Sequence, residues 1–250
     1  MPLTMFSIIS IYKMQMRQIY LLFVPLFLFS CDPADLQKVM DTVNTVPLSN
    51  ADISSGLKEA LNKGVDQSVQ TLSANEGYYA SLYKILLPEE ASKVIDKLKF
   101  IPGFSNLEEE AIKKINKAAE DAASKAGPIF LNAIKQMTIE DVMGILMGQK
   151  NAATTYLNNK THTTLYNEFK PVMTLSLNKF GALDLWNSAI NKYNSIPFVT
   201  KVNPDLADHV TIKALSGLFS LVEKKELGIR TDLSQRTSDL LRRVFAKQDK

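Results

Sequence analysis

The sequence predicts an all-α fold, a single irregular multi-helix bundle domain that follows a cleaved leader. Three observations predict it. Apolar residues recur at helical spacing along most of the chain, strand-type alternation is essentially missing, and cap and breaker residues separate the periodic segments. Self-similarity at a solenoid period is absent as well.

The leader comes first. Lys13 and Arg17 precede an apolar run from Ile19 to Phe29, and the run closes on Leu28-Phe29-Ser30-Cys31. A basic start, a short apolar core and a small residue before the cut form a secretory leader. The run falls short of the roughly 20 residues that a membrane-spanning helix needs. Its last four residues have the form of a lipobox, which predicts cleavage before Cys31 and a diacylglyceryl group on that thiol. Two acyl chains anchor a protein stably where one binds only marginally. The expected organisation is a lipoprotein signal peptide at 1–30, a lipid anchor with a short N-terminal helix at 31–48, and an all-helical domain at 49–250.

Element by element, Asp32-Pro33 opens the short helix, with Leu36, Val39, Met40 and Val43 on one stripe and Pro47 after it. Ser49 and Asp52 have the spacing of a capping box. They introduce a longer helix whose stripe is Ile53, Leu57, Ala60, Leu61, Val65 and Leu72. Residues 77–87 are the least helical stretch, and Tyr78 to Leu87 leaves room for a brief strand. Pro88 suits the first turn of a helix, which buries Val94, Ile95 and Leu98 and stops at Pro102-Gly103.

Ser105 and Glu108 start the next helix, with Ile112, Ile115, Ala119, Ala122 and Ala126 on one side. Gly127-Pro128 is expected to break it, and a short helix with Ile129, Phe130 and Ile134 to follow. Thr138 and Asp141 have cap spacing ahead of Val142, Ile145 and Leu146, and Gly148 reads as a terminator. A helix through Tyr156 follows, then a helical region from about 163 to 193 that Pro171 should kink or divide. Residues 196–203 read as a linker. Pro204 starts a strongly patterned helix with Leu206, Val210, Ala214, Leu218, Leu221 and Val222. A final helix over about 232–246 should bury Leu233, Leu240, Leu241, Val244 and Phe245.

Composition narrows the function. Beyond the leader, 27 basic residues face 26 acidic ones, so global charge gives no reason to expect a nucleic-acid partner. Cys31 is the single cysteine. Once acylated, it leaves no thiol for a disulfide, a thiolate metal site or a cysteine nucleophile. His162 and His209 lie far apart and outside any metal-binding spacing, so neither a metal nor another cofactor is expected. No Gly-x-Ser-x-Gly elbow occurs. Ser55/Lys58, Ser81/Lys84 and Ser176/Lys179 have Ser-x-x-Lys spacing but lack the companion motifs of Ser-Lys acylating enzymes.

An ordered string of motifs runs through the domain. It comprises Asp52 to Leu61, Asn116-Lys-Ala-Ala-Glu120, Met137-Thr-Ile-Glu-Asp141, Gly148 with Ala152-Ala-Thr-Thr-Tyr156, Gly217-Leu-Phe219, Glu226 with Ile229-Arg230, and Arg236 with Leu240-Leu241 and Val244-Phe245. This string resembles the bacterial family known as domain of unknown function 4197. Lys117 stands where the family pattern carries arginine and His209 where it carries tyrosine, so the resemblance fixes no role for those two. It implies a helical, often lipid-anchored envelope protein and brings no activity with it.

Candidate contacts follow from charge and position. Asn116 and Glu120 border the Ile112/Ala119/Ala126 stripe four residues apart, where both can face a partner helix. Glu120/Asp121 and Glu140/Asp141 are paired carboxylates of the kind general acid–base chemistry uses. Asp141 also fits a cap, and Glu140 suits a helix start. Four of the five arginines, Arg230, Arg236, Arg242 and Arg243, fall in the last 21 residues. On a continuous final helix Arg236, Arg243 and Lys247 would share a side. Guanidinium forks there suit an anionic envelope component, and i,i+4 pairing of Glu226 with Arg230 and of Asp239 with Arg243 would serve structure instead.

The expected function is a non-enzymatic binding or scaffolding domain, lipid-anchored in the cell envelope, periplasm-facing, and at the outer rather than the inner membrane. Its expected partners are the membrane, through Cys31, and an anionic envelope component or a protein. The candidate contacts are Asn116, Glu120, Thr154, Tyr156, Arg230, Arg236 and Arg243. Two alternatives stand beside it: a carrier of a lipid-like or other apolar ligand between helices, and a hydrolase using Glu120 with Asn116 or Thr154. Buried ion pairs at Arg230 and Arg236 would favour the scaffold. A continuous apolar cavity would favour the carrier, and convergence of Asn116, Glu120 and Thr154 the enzyme.

Overall fold

The computed structural model describes residues 47–136, 138, 140 and 142–249. The leader, Cys31, the helix expected after Asp32 and the Asp141 cap lie outside the described residues.

Among the described residues the elements are α-helices and short 3-10 turns, with no strand. The helices are α1 (Asn50–Ser73), α2 (Glu89–Leu98), α3 (Leu107–Gln136), α4 (Val142–Leu146), α5 (Ala152–Lys179), α6 (Ala182–Asn194), α7 (Leu206–Thr231) and α8 (Asp239–Phe245). No helix among the described residues is long and apolar enough to cross a membrane.

The four long helices form a ring: α1 packs on α3, α3 on α5, α5 on α7, and α7 on α1. Each therefore has two long neighbours, which demands a wide buried face. On α3 that face is built from alanine: Ala118, Ala119, Ala122, Ala123 and Ala126 are all fully buried. Their small side chains let α1 and α5 approach from either side. Phe130 of α3 and Phe219 of α7 meet across the ring, centroids 5.3 Å apart. The shorter helices close the periphery, with α2 and α6 on one another, α4 against α1 and α5, and α8 against α1.

Local signals set two helix starts, at Ser49 as expected and at Asp205 rather than at the expected Pro204. Asp52 N–H donates to Ser49 Oγ at 3.1 Å while Ser49 N–H donates to the Asp52 carboxylate at 2.9 Å, a complete capping box for α1. The Asp205 carboxylate accepts the Asp208 N–H at 2.9 Å at the start of α7.

Neither Pro128 nor Pro171 ends its helix, so the break expected at Pro128 and a division at Pro171 are absent. Helix α3 runs through Pro128 and α5 through Pro171. Each proline removes one bond to the carbonyl four residues back. Ser124 with Pro128, and Asn167 with Pro171, lie on exposed faces, which leaves the freed carbonyls open to solvent. The division between α5 and α6 falls instead at Gly181, whose φ of 63° is left-handed.

The expected final helix is also split. A 3-10 turn at Leu233–Gln235 comes first, and α8 begins only at Asp239. Asp232 caps the turn by accepting the Ser234 N–H, and Ser238 caps α8 by accepting the Leu241 N–H. These two polar caps outcompete a continuous helix. Leu233 is consequently 65% exposed rather than buried. Arg236 leaves the helix altogether, so it shares no helical side with Arg243 and Lys247.

No strand forms between Tyr78 and Leu87. Residues 84–88 belong to no regular element, and one side chain bonds the backbone of Ile85 as a neighbouring strand would. Asn116 Oδ1 accepts the Ile85 N–H at 2.9 Å, and its Nδ2 donates to the Ile85 carbonyl at 2.8 Å. A primary amide has one acceptor and two donors. It therefore satisfies both backbone groups of Ile85, and its second N–H reaches the Ile112 carbonyl at 2.8 Å.

Candidate functional site

The two clusters of charged residues singled out in the sequence have different environments. At the C-terminal end of α7 they are consumed by helix ends. Helix α5 begins without a side-chain cap from Asn151, and the buried carboxylate of Glu226 supplies one from α7. It accepts the backbone N–H groups of Ala153 and Thr154 at 3.0 and 2.7 Å, and the Thr154 hydroxyl at 2.6 Å. Arg230 Nε donates to the same carboxylate at 2.8 Å. Its remaining guanidinium nitrogens donate to the carbonyls of Leu146 and Ile145 at the end of α4, at 2.7 and 3.2 Å. An anion thus sits at a helix start and a cation at a helix finish, which is the favourable sense at both ends.

Arg236 continues the arrangement. It donates to the carbonyls of Ile229 and Arg230 at 2.9 Å each, closing the end of α7. Its fork then grips Asp249 at 2.5 and 2.7 Å. That hydrogen-bonded guanidinium holds the Asp249 carboxyl below the ordinary carboxylate range. Glu226, Arg230 and Arg236 are at most 5% exposed. Arg243 is half-buried, and its charge acts on Asp52 of α1. Asp239 pairs with Arg242 at 2.9 Å. The Tyr156 hydroxyl donates to the Thr138 carbonyl, a link between α5 and the segment before α4.

Glu120 and Asp121, adjacent in sequence, point to different places. Asp121 faces α5, where Ser176 Oγ donates to it at 2.7 Å and Lys179 Nζ at 2.5 Å, with Lys125 at 2.8 Å. Burial opposes its ionisation, yet those three donors prevail and hold its carboxyl well below the usual range.

Glu120 faces a surface cleft of about 350 Å3 between the end of α1, α3 and the α5–α6 junction. The residue is only 3% exposed. Among the described residues its one polar partner is Lys117, whose Nζ lies 3.3 Å from Oε2. Its other oxygen has none. Lys117 also donates to Asn75 Oδ1 at 3.1 Å, from the turn after α1. That turn passes through Glu76 at a left-handed φ of 60°, uncommon for a residue with a side chain, and so brings Asn75, Glu76 and Tyr79 to the rim. On the opposite rim Lys114 donates to the Phe180 carbonyl at 3.2 Å, and Phe180 forms part of the wall. Lys113 completes the cationic side, tied to Glu109 at 2.6 Å in an exposed pair.

Asn116, Glu120 and Thr154 do not converge. Asn116 holds the segment at Ile85, Glu120 lines the cleft, and Thr154 binds Glu226. A larger groove of about 590 Å3 runs between residues 82–87 and α7, open to solvent. His209 lines it, and because a carbonyl can only accept, its Nε2–H donates to the Leu86 carbonyl at 2.8 Å. Gly217 on its floor leaves room for Tyr78, since a Cβ there would lie 3.2 Å from that ring. Among the described residues no group of three or more His, Cys, Asp or Glu is placed to hold a metal ion.

The cleft residues other than Glu120 escaped the sequence reading. Lys113 and Lys114 have ordinary i,i+4 partners in Glu109 and Glu110. Asn75, Tyr79 and Phe180 sit in connections whose path only the fold sets.

No match to the chain was found among curated proteins or among solved structures. A family model described as "Protein of unknown function (DUF4197)" matches residues 47–246. The Asn116–Glu120 segment, the Glu226–Arg230 clamp and Arg236 all lie inside that match, and the chain belongs to the DUF4197 family.

Proposed function

We propose that this is a non-enzymatic binding domain of the cell envelope, held to a membrane through an acylated Cys31. The observation that carries the binding reading is Glu120, a buried carboxylate with one lysine partner at the base of an open cleft. Ionic groups elsewhere in the core are spent on helix ends, where they stiffen the frame that presents the cleft. Buried charges are ordinarily fully paired, so an under-partnered one facing a concavity is suited to receiving a ligand. The anchor reading rests on the lipobox Leu28-Phe29-Ser30-Cys31 behind its apolar run. Two acyl chains would hold the domain at the bilayer without a spanning helix. The outer membrane is the proposed destination.

Binding is tested by purifying the full-length protein from membranes and identifying retained small molecules by mass spectrometry. A ligand retained by the native protein and lost from Glu120→Gln supports the reading. Recovery of none, from either, removes it. The anchor is tested separately by Cys31→Ala. Expected are a mature chain starting at an acylated Cys31 in the outer-membrane fraction, and a variant that is released or unprocessed. A variant still membrane-bound at the mature size would exclude lipidation.

A further inference from the structure

We infer that the Glu120 cleft recognises a paired ammonium and anion, with the ammonium on Glu120 and the anionic group between Lys113 and Lys114. This rests on the binding reading above and names the ligand's chemistry. Charge around the cleft decides it by exclusion. A simple anion attracted by Lys113, Lys114 and Lys117 would meet the Glu120 carboxylate at the base and Glu76 at the rim. A simple cation drawn to Glu120 would meet three lysines. Like charges so close oppose binding, whereas a zwitterion meets complementary charge at both ends.

The hydrogen-bonding detail agrees. Glu120 is 97% buried by its 3% exposure, and its free oxygen can accept but not donate. It therefore calls for a donor group, and Lys117 is already committed to Oε2 and to Asn75. Lys113 and Lys114 hold Glu109 and Glu110 at 2.6 and 3.6 Å in pairs at the protein surface. The Lys113 pair is exposed and holds weakly, so its ammonium can turn to an incoming anion, while the half-buried Lys114 gives one N–H to the Phe180 carbonyl and has two more to offer. Tyr79 and Phe180 line the same cleft and cover the short carbon link between the ligand's charges. A volume of about 350 Å3 admits a small zwitterion with water around it.

Free α-amino acids and the phosphoethanolamine headgroup of a lipid share this chemistry. The test is calorimetric titration of the full-length protein in detergent. Its probes are L-alanine, O-phosphoethanolamine, ethylamine, inorganic phosphate, and short-chain phosphatidylethanolamine beside phosphatidylcholine of equal chain length. At least one zwitterion with a primary ammonium should bind tenfold or more tightly than ethylamine or phosphate. Phosphatidylcholine should bind more weakly than phosphatidylethanolamine, because its quaternary nitrogen has no proton to give Glu120. Binding of alanine alone assigns the site to free amino acids. Binding of phosphoethanolamine and its lipid alone assigns it to the headgroup.

Glu120→Gln should weaken binding about tenfold or more, the loss of one charge-assisted hydrogen bond. Lys113→Gln with Lys114→Gln should weaken it similarly. Those two residues, neither of them buried, carry the test if Glu120→Gln fails to fold, as thermal melting will tell. Absence of zwitterion binding, equal binding of phosphate or ethylamine alone, or unchanged affinity in both variants would overturn the assignment. If native protein instead retains a ligand of another class that Glu120→Gln loses, the zwitterion falls while the binding reading stands.

Discussion

Glu226 on α7 accepts both the backbone N–H and the hydroxyl of Thr154 on α5, at 2.7 and 2.6 Å. A carboxylate 72 residues away thus does the work of an N-cap, and Arg230 neutralises it from the next turn at 2.8 Å. Removing one member of a buried pair leaves the other charge uncompensated. Glu226→Ala should therefore destabilise the domain by about 3–5 kcal/mol. Thr154→Val should cost about 1 kcal/mol, the ordinary net value of one hydrogen bond. Urea unfolding of both variants checks the ranking, and a larger loss at Thr154 would refute it.

Asn116 carries a second prediction. Its amide satisfies the N–H and carbonyl of Ile85 together. Asn116→Leu would leave both groups buried without partners, at about 1–3 kcal/mol for each. Asn116→Asp retains the acceptor but presents a carboxylate to the Ile85 carbonyl, so it should rescue little. Amide exchange at Ile85 should accelerate in both variants while exchange in the middle of α7 changes far less. Uniform acceleration across the domain would mean that Asn116 supports the core generally rather than this segment.

The same residue marks where the sequence stops being informative. Interactions of short range were legible: the Ser49/Asp52 box lies within four residues, and the helical stripes of α1 and α7 follow from spacing alone. The irregularity of residues 77–87 was legible too, but the partner of Ile85 stands 31 residues later. Pro128 and Pro171 misled because the cost of a proline inside a helix can be outweighed by the packing of that helix and is eased where the freed carbonyl faces solvent, and both are properties of the fold. At the site, Glu120 stood out as a carboxylate beside an alanine stripe. Which neighbours would line its cleft depended on the turn at Glu76 and the break at Gly181, and neither has a spacing rule.

Packing of α1 against α8 gives a third prediction. A Cβ at Gly56 would lie 2.7 Å from Val244 Cγ2 and 3.0 Å from its Cβ. Val244 is fully buried and, being β-branched, turns into another rotamer only at a cost. Gly56→Ala should therefore destabilise by about 1–3 kcal/mol, as overpacking does, despite alanine's better helix propensity. Combining it with Val244→Ala should recover part of that loss, giving a favourable coupling in a double-mutant cycle. Additive losses would show that the contact is not what limits position 56.

Asp121 sets the acid limb of stability. Its carboxyl is held well below the ordinary range because Lys125, Lys179 and Ser176 outweigh its burial. In the unfolded chain it returns to about 3.9. A depressed folded value means that the unfolded state binds the proton first as pH falls. The stabilisation is thus complete above the unfolded value and declines as pH drops below about 4 towards the depressed folded value. Asp121→Asn keeps the shape but removes the titrating charge. It should cost about 1.5–3 kcal/mol at neutral pH, the range for charged hydrogen bonds, and make stability less steep between about pH 4 and 2, the interval set by that displacement. Chemical unfolding followed across that interval measures the slope. If the variant loses stability as steeply as the native chain, the acid sensitivity arises elsewhere, and Asp249 under Arg236 is the next carboxylate to replace.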